Sequence, residues 1–322
     1  MQLGVHSPVL YDRSFEEALA FLSDRGVTAV EPGVGGNPGD DHLDRAAVLD
    51  DPDAQTALAS TLEEHGIEIS SLATHNNPIH PDEAHAEQAD RELREAIELA
   101  AQLDVNVVTC FSGLPAGGPD DAVPNWITYT WPAEHADALE YQGDVAVEYW
   151  SGVAEFADDH GVEVAIEMHP NTLVYEPRGL VRLREATNDR IGANFDPSHL
   201  YWQGISITDA IRYLGERDAI VHVHAKDTRI YDARARIGGV LDTTALDDER
   251  NRPWIFRTVG YGHGERHWKD VVSTLRLVGY DGVVSIEHED ALTSATEGLE
   301  KAIDFLSRVI FEDEPGEVYW AD

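Results

Sequence analysis

A chain of 322 residues, 42% of them hydrophobic and seven of them tryptophan, carries enough apolar surface for a sizeable core, which excludes a disordered polymer and leaves one large domain or two small ones. With 61 Asp and Glu against 23 Lys and Arg, the formal charge of −38 opposes broad contact with nucleic-acid phosphates. The single cysteine, Cys110, precludes an intrachain disulfide, and the sequence has neither a basic-then-apolar leader nor ~18 uninterrupted apolar residues, so a cytoplasmic protein off the membrane is expected.

Short β-rich runs alternate with longer segments of helical period along the whole chain. Strands are predicted at Gln2–His6, Thr28–Glu31, Glu68–Thr74, Asn106–Phe111, Glu163–Glu167, Ile191–Phe195, Ile220–Ala225 and Gly282–Glu287. Helices are predicted in register behind them, at Ser14–Arg25, Asp53–His65, Asp82–Leu103, Asp144–His160, Pro177–Ala186, Ile207–Leu214, His267–Val278 and Thr293–Val309. Ser14 with Glu17 has the spacing of a capping box, and Pro177 suits a first helical turn.

Eight βα units point to a closed ring, since an open doubly wound sheet more often stops at fewer strands and leaves two edges. The fold class is therefore α/β, a (β/α)8 TIM barrel, as a single domain over residues 1–312. An acidic tail, 313–322, follows, with Tyr319 and Trp320 as candidates to dock on the barrel or on a partner. Acidic pairs such as Asp40 with Asp41 and Asp158 with Asp159 are spread along the chain and read as a solvated surface, of the kind a salt-rich, halophilic cytoplasm would screen.

Two connections are long, Ser112–Gly143 after the fourth strand and Lys226–Arg266 after the seventh. They carry Trp126, Tyr129 and Trp131 in one and Arg229, Tyr231, Arg234, Arg236 and Trp254 in the other. Loops of that length are usually functional; these read either as lids over a pocket or as contacts in a homo-oligomer.

Parallel strands all end at the same face of a barrel, so side chains there converge although they are distant in sequence. The fifth strand ends on Glu167 with His169 beyond it, the sixth on Asp196 with His199, the seventh on His224 and Lys226, and the eighth on Glu287. Any one of these acids alone would be read as a helix cap or an ion-pair partner. Three carboxylates in one pocket repel each other unless a dication neutralises them. Three oxygen ligands and one imidazole suit one divalent ion, Mn²⁺ before Mg²⁺, Co²⁺ or Zn²⁺. His222 lies two residues from His224, hence inward and a layer deeper, as a core or supporting group. His6, His75, His169, His199, His222, His224 and His288 all fall at or just beyond strand ends, which marks a polar pocket with hydrogen-bonding walls. The glycines between Gly33 and Gly39 read as a flexible turn; Gly260, Gly262 and Gly264 read as a tight loop or as N–H donors to an anion. Cys110 reads as a core residue.

The runs IEMHP, NFDPSHLYWQG, HVHAKD, TVGYGHGERHW and GYDGVVSIEHED resemble the sugar phosphate isomerase/epimerase superfamily, the xylose isomerase-like barrels, from about Met1 to Phe311. The resemblance implies a metal held by Glu167, Asp196, His224 and Glu287, with the two glutamates also able to serve as an acid/base pair. Asp196 and His199 match the family's Asp-x-x-His element, which places His199 beside the substrate. Pro170, Asn171, Leu173 and Ile230 stand where the ketose 3-epimerase branch has Asn-Arg, a further Glu and an Arg, which argues away from a simple free ketohexose. The additional ligands of the endonuclease IV branch are not found in Lys226–Arg266.

Three functions are weighed. The first is isomerisation or epimerisation of a sugar or keto-sugar through an enediolate, with Glu167, Glu287 and His199 catalytic and His75, His169, His199, Lys226 and Arg229 contacting a small-molecule carbohydrate. The second shares the enolate but ends in elimination, a lyase or dehydratase acting on a keto-sugar, keto-glycoside or keto-inositol, with His199, His169 or Lys226 protonating the leaving oxygen. The third is a non-catalytic sugar-binding barrel. No nucleic acid and no membrane is expected as a partner.

Overall fold

The computed structural model describes residues 1–316 and Trp320. Of the two aromatic tail candidates, Tyr319 lies outside the described residues and Trp320 is largely exposed.

The barrel is made of β1 (Gln2–His6), β2 (Ala29–Glu31), β3 (Glu68–Ile69), β4 (Leu72–Ala73), β5 (Val107–Phe111), β6 (Glu163–Glu167), β7 (Ile191–Phe195) and β8 (Ile220–Ala225). Beyond it the chain forms a hairpin of β9 (Asp227–Ile230) and β10 (Trp254–Arg257), then returns to the barrel as β11 (Val283–Ile286). Nine strands pair in parallel in the order β3, β2, β1, β11, β8, β7, β6, β5, β4. The predicted third strand is thus interrupted. Its first half pairs with β2 and its second with β5, and a bridge from Gly33 to Ala73 draws the ring together. At the break the Ser70 hydroxyl bonds to the carbonyl of Val30 at 3.3 Å, a side-chain competitor for the ladder.

Most positions in these strands are apolar, because in a parallel barrel one face meets the barrel interior and the other meets helices. Around the ring lie α1 (Phe15–Ser23), α2 (Arg45–Val48), α3 (Pro52–His65), α4 (Glu83–Gln102), α5 (Ala133–His160), α6 (Pro177–Ala186), α7 (Ser198–Tyr201), α8 (Ile207–Gly215), α9 (Asp232–Gly238), α10 (Glu265–Leu277) and α11 (Ala295–Leu306). The capping box on α1 is formed in both directions, Ser14 taking the Glu17 N–H and Glu17 taking the Ser14 N–H. Trp150 of α5 and Trp268 of α10 are buried in the layer between helices and sheet.

Both long connections are more ordered than loops. α5 begins at Ala133 instead of Asp144, and Gln142 on its first turns is buried, its amide donating to the carbonyls of Pro115, Ala116 and Asn125 at 3.2, 3.1 and 2.7 Å. In the second connection the hairpin folds back over the rim. Trp254 stacks on Trp202 with centroids 5.0 Å apart, and Phe256 packs against His199 and under the Lys226 ammonium, 4.4 Å from its ring centre. Tyr129, Trp131 and Arg236, by contrast, point to solvent.

The N–H groups of Gly260 and Gly262 already have an acceptor within the chain. The buried carboxylate of Asp227 accepts the N–H groups of Gly260, Gly262 and His263 at 3.1, 3.0 and 2.9 Å and the Trp268 indole at 3.3 Å. A Cβ on Gly262 would run into that carboxylate and into the Thr228 carbonyl, which is why the position is glycine. Asp227→Asn puts an NH2 where one acceptor oxygen sits, and each buried N–H left without an acceptor costs ~1–3 kcal/mol. The variant is expected to unfold at least ~2 kcal/mol more easily in urea; a denaturation midpoint equal to the parent's would remove Asp227 as the anchor of this loop.

Candidate active site

β6, β7, β8 and β11 are consecutive neighbours around the ring, so the residues at their C-termini share one rim. In-register pairing sets Glu167 beside Asn194, and Ser285 beside His224. Asp196 and Glu287 follow directly on the last residues of β7 and β11. Ligand atoms of Glu167, Asp196, His224 and Glu287 lie within 4.8 Å of one another.

Their contacts are dense. His224 Nδ1 is 3.0 Å from Glu287 and 3.3 Å from Glu167. His75 Nε2 and His199 Nε2 each lie 3.2 Å from Glu167, and His199 Nε2 lies equally close to Asp196. Lys226 donates to Glu287 at 2.7 Å and pairs with Glu289 at 2.6 Å. Asn194 donates to Glu167 at 3.1 Å. Asp196 is fixed by the N–H and hydroxyl of Ser198 at 2.7 and 2.9 Å.

These neighbours set the protonation states. Burial by itself would raise the Glu167 pKa, but the imidazoles of His199, His224 and His75 hold it well below the usual carboxylate range. Burial likewise opposes charge on Lys226, and Glu287 and Glu289 overcome it and keep the ammonium protonated. His199 is pushed up to about 9 because Asp196 and Glu167 outweigh its burial. His169 goes the other way, down to about 3, through burial and the charge of His199. His6 falls to about 4, mainly through burial.

The donor set fits a divalent cation. Three hard carboxylates and one imidazole converge, and the buried His75 Nε2 and His199 Nε2 come close to carboxylates without reaching hydrogen-bonding geometry, so protein donors alone leave the cluster incompletely satisfied. Among the described residues the same spacing recurs for Glu31, His222 and His224, and for Glu167, His169 and His199.

A cavity of about 370 Å³ opens on this cluster and is lined by Glu167, Glu287, His75, His169 and Lys226 among others, within the roughly 300–1,000 Å³ of small-molecule sites. Two residues expected at the substrate do not line this cavity. His199, on the first turn of α7, is fully buried, its ring against Asp196, Glu167, His169 and Phe256 and outside the cavity lining. Arg229 is exposed, its guanidinium 3.4 Å from the Gly262 carbonyl and off the cavity. His222 sits one layer below His224, 3.1 Å from Glu31 and 3.5 Å from Ser71.

Sequence reasoning missed Glu31, Asn194 and Phe256. Glu31 ends β2 fully buried, and Thr109, Ser285, His222 and His224 all point at it. An acid closing an apolar run at a strand C-terminus is the same signal that marks Glu167, and it was legible in Ala29, Val30, Glu31.

A closed ring of parallel strands with acids and imidazoles gathered at its C-terminal rim is the architecture in which TIM-barrel proteins place their active sites. The chain belongs to the xylose isomerase-like TIM barrel family, whose sequence profile matches residues 19–309. It is 38% identical over 317 residues to the uncharacterized protein YfiH of Bacillus subtilis (strain 168), covering 96% of this chain and 99% of that one. Among solved structures it resembles the probable 3-DHS dehydratase AsbF of Bacillus anthracis, at 16% identity and TM-score 0.68 over 95% of this chain and 99% of that one. It also resembles a D-tagatose 3-epimerase-like protein, at 22% identity and TM-score 0.64 over 96% and 98%. Among the described residues no helix is long and apolar enough to cross a membrane.

Proposed function

We propose that the protein is a divalent-metal-dependent isomerase or epimerase of a sugar or keto-sugar, working through an enediolate. The observation that carries this reading is the meeting of Glu167 and Glu287 on one imidazole nitrogen at the floor of the cavity. Glu167, Asp196, Glu287 and His224 would hold the cation. Bound there, a divalent ion neutralises the carboxylates and acidifies the carbon beside a polarised carbonyl.

The chain's own groups do the remaining work. Glu167 and Glu287 are ionised at neutral pH, so either can take a proton from carbon. The same neighbours that keep them ionised make their conjugate acids strong, which favours return of the proton. Two acids reaching the substrate from different strands can serve the two faces of a planar intermediate. Lys226, paired with Glu287, is placed to donate to a substrate oxygen, and His75 and His169 line the wall. His199 touches Glu167 and Asp196 and does not line the cavity, so its role is to hold charge and orientation.

Elimination is the second reading. The cavity wall holds Lys226 as a protonated donor, able to protonate a leaving oxygen after the same first step, and a protein described as a probable dehydratase is among the structural relatives. The two outcomes separate by mass. Manganese-loaded protein incubated in D₂O with keto-sugars, keto-glycosides and inososes is expected to give an isomer carrying deuterium on the carbon next to the carbonyl; loss of water instead would assign the lyase. Absence of any exchange across the panel, with metal bound, would leave a sugar-binding barrel.

A further inference from the structure

We infer that Glu31 is a positioning residue: it holds His224 as the Nε2–H tautomer and so presents Nδ1 to the cation that Glu167, Asp196 and Glu287 would share. This rests on the metal-centre reading above and deepens it by naming the group that orients one ligand.

Glu31 reaches the centre from β2, separated from β8 in the ring by β1 and β11. Its side chain is fully buried and held from several sides. Oε1 accepts the Thr109 hydroxyl at 2.7 Å, and Oε2 accepts the Ser285 hydroxyl at 2.8 Å. His222 Nε2 and His224 Nε2 lie 3.1 and 2.9 Å from that same Oε2. An ionised carboxylate only accepts, so the His224 nitrogen facing it carries the hydrogen, and in a neutral imidazole the lone pair then sits on the other nitrogen.

That other nitrogen, Nδ1, faces Glu287 at 3.0 Å, Glu167 at 3.3 Å and the Asn194 amide at 3.2 Å. With a cation seated among those carboxylates the ring would be neutral and its Nδ1 lone pair aimed at it; without one the ring is protonated and donates from Nδ1 to the carboxylates as well as from Nε2 to Glu31. A carboxylate behind a ligating imidazole supplies the orientation that such a centre needs, and loss of such a group costs about 10–100-fold in metal affinity. Glu31, His222 and His224 could instead be read as a second cation site. The hydroxyls of Thr109 and Ser285 argue against it, because they already engage both oxygens as hydrogen-bond donors.

The test uses zinc, a diamagnetic probe, on the full chain with ¹⁵N-labelled histidine. The parent is expected to bind one zinc, with His224 coordinated through Nδ1 and protonated on Nε2. Glu31→Gln keeps the volume but lets an amide NH2 face His224, so zinc affinity should fall about 10–100-fold and the His224 ¹⁵N pattern should lose its single tautomer. Ser285→Ala, which frees Glu31 without removing it, should give a smaller loss in the same direction and guards against a Glu31 variant that fails to fold. Coordination of His224 through Nε2, a second zinc bound at Glu31, or zinc affinity in folded Glu31→Gln within about twofold of the parent would each overturn the assignment while leaving the metal centre standing. A parent chain that binds no zinc or other divalent ion would bring down the metal centre itself, and this assignment with it.

Discussion

Glu167→Gln is expected to fold as the parent does and to lose at least ~10²–10⁴-fold of turnover, the range associated with a positioned acid or base. The exchange is isosteric, so the packing of the His75 and His199 imidazoles, each 3.2 Å from the Glu167 carboxylate, is kept. What disappears is the proton-accepting carboxylate and one negative ligand. Because one side chain would serve both as base and as ligand, the assay belongs at saturating metal, where weakened binding is compensated and the residual loss reports on proton transfer. Glu287→Gln gives the complementary result. If the two glutamates serve opposite faces, one of the variants should still wash solvent deuterium into recovered substrate while forming no product. Undiminished turnover in Glu167→Gln would remove it from the mechanism.

The strand ends were readable because a parallel barrel buries both faces of each strand, so β-branched runs stop abruptly where the first polar side chain reaches the rim. β1, β6, β7 and β8 have the predicted bounds, and with them come Glu167, Asp196 and His224. The departures of the structure from the sequence pattern have particular causes. Arg229 has the charge and the loop position expected of a substrate contact, yet alternation from His222 and His224 through Lys226 assigns odd positions to the outer side, where the exposed Arg229 lies. Asp227 shares that parity and is buried only because the loop from Gly260 to His263 folds over it, which no local pattern announces. The start of α5 was set late because Gly143 followed by Asp144 looks like a helix beginning, whereas burial of Gln142 overrides that local preference. Spacing puts His199 next to Asp196, as the structure does, but spacing alone does not say that the ring stays off the cavity wall.

The chelated protein is expected to become less stable as pH rises from ~6.5 to ~9, against the common expectation for an acidic chain. His199 has its folded pKa pushed up to about 9 from an ordinary 6.5, with Asp196 and Glu167 overcoming burial. A raised folded value means that the protonated ring favours the folded state. Its contribution is complete below ~6.5 and is lost as pH climbs through ~9; the difference is worth roughly 3 kcal/mol. His224, raised by Glu31, Glu167 and Glu287 against its burial, acts with the same sign. Glu167 runs opposite. Its folded value lies below the ordinary 4.5, so its contribution is present above ~4.5 and is lost only as strong acid protonates it. Urea midpoints at constant high salt, taken from pH 6.5 to 9.5 with a chelator present, should therefore fall with pH, and added divalent metal should flatten the slope because the cation replaces the imidazolium charge among the carboxylates. A chelated protein equally stable at both ends of that range would mean that the cluster of Glu167, Asp196, His199 and His224 is not held together by positive charge, and the case for a cation at its centre would lose its electrostatic basis.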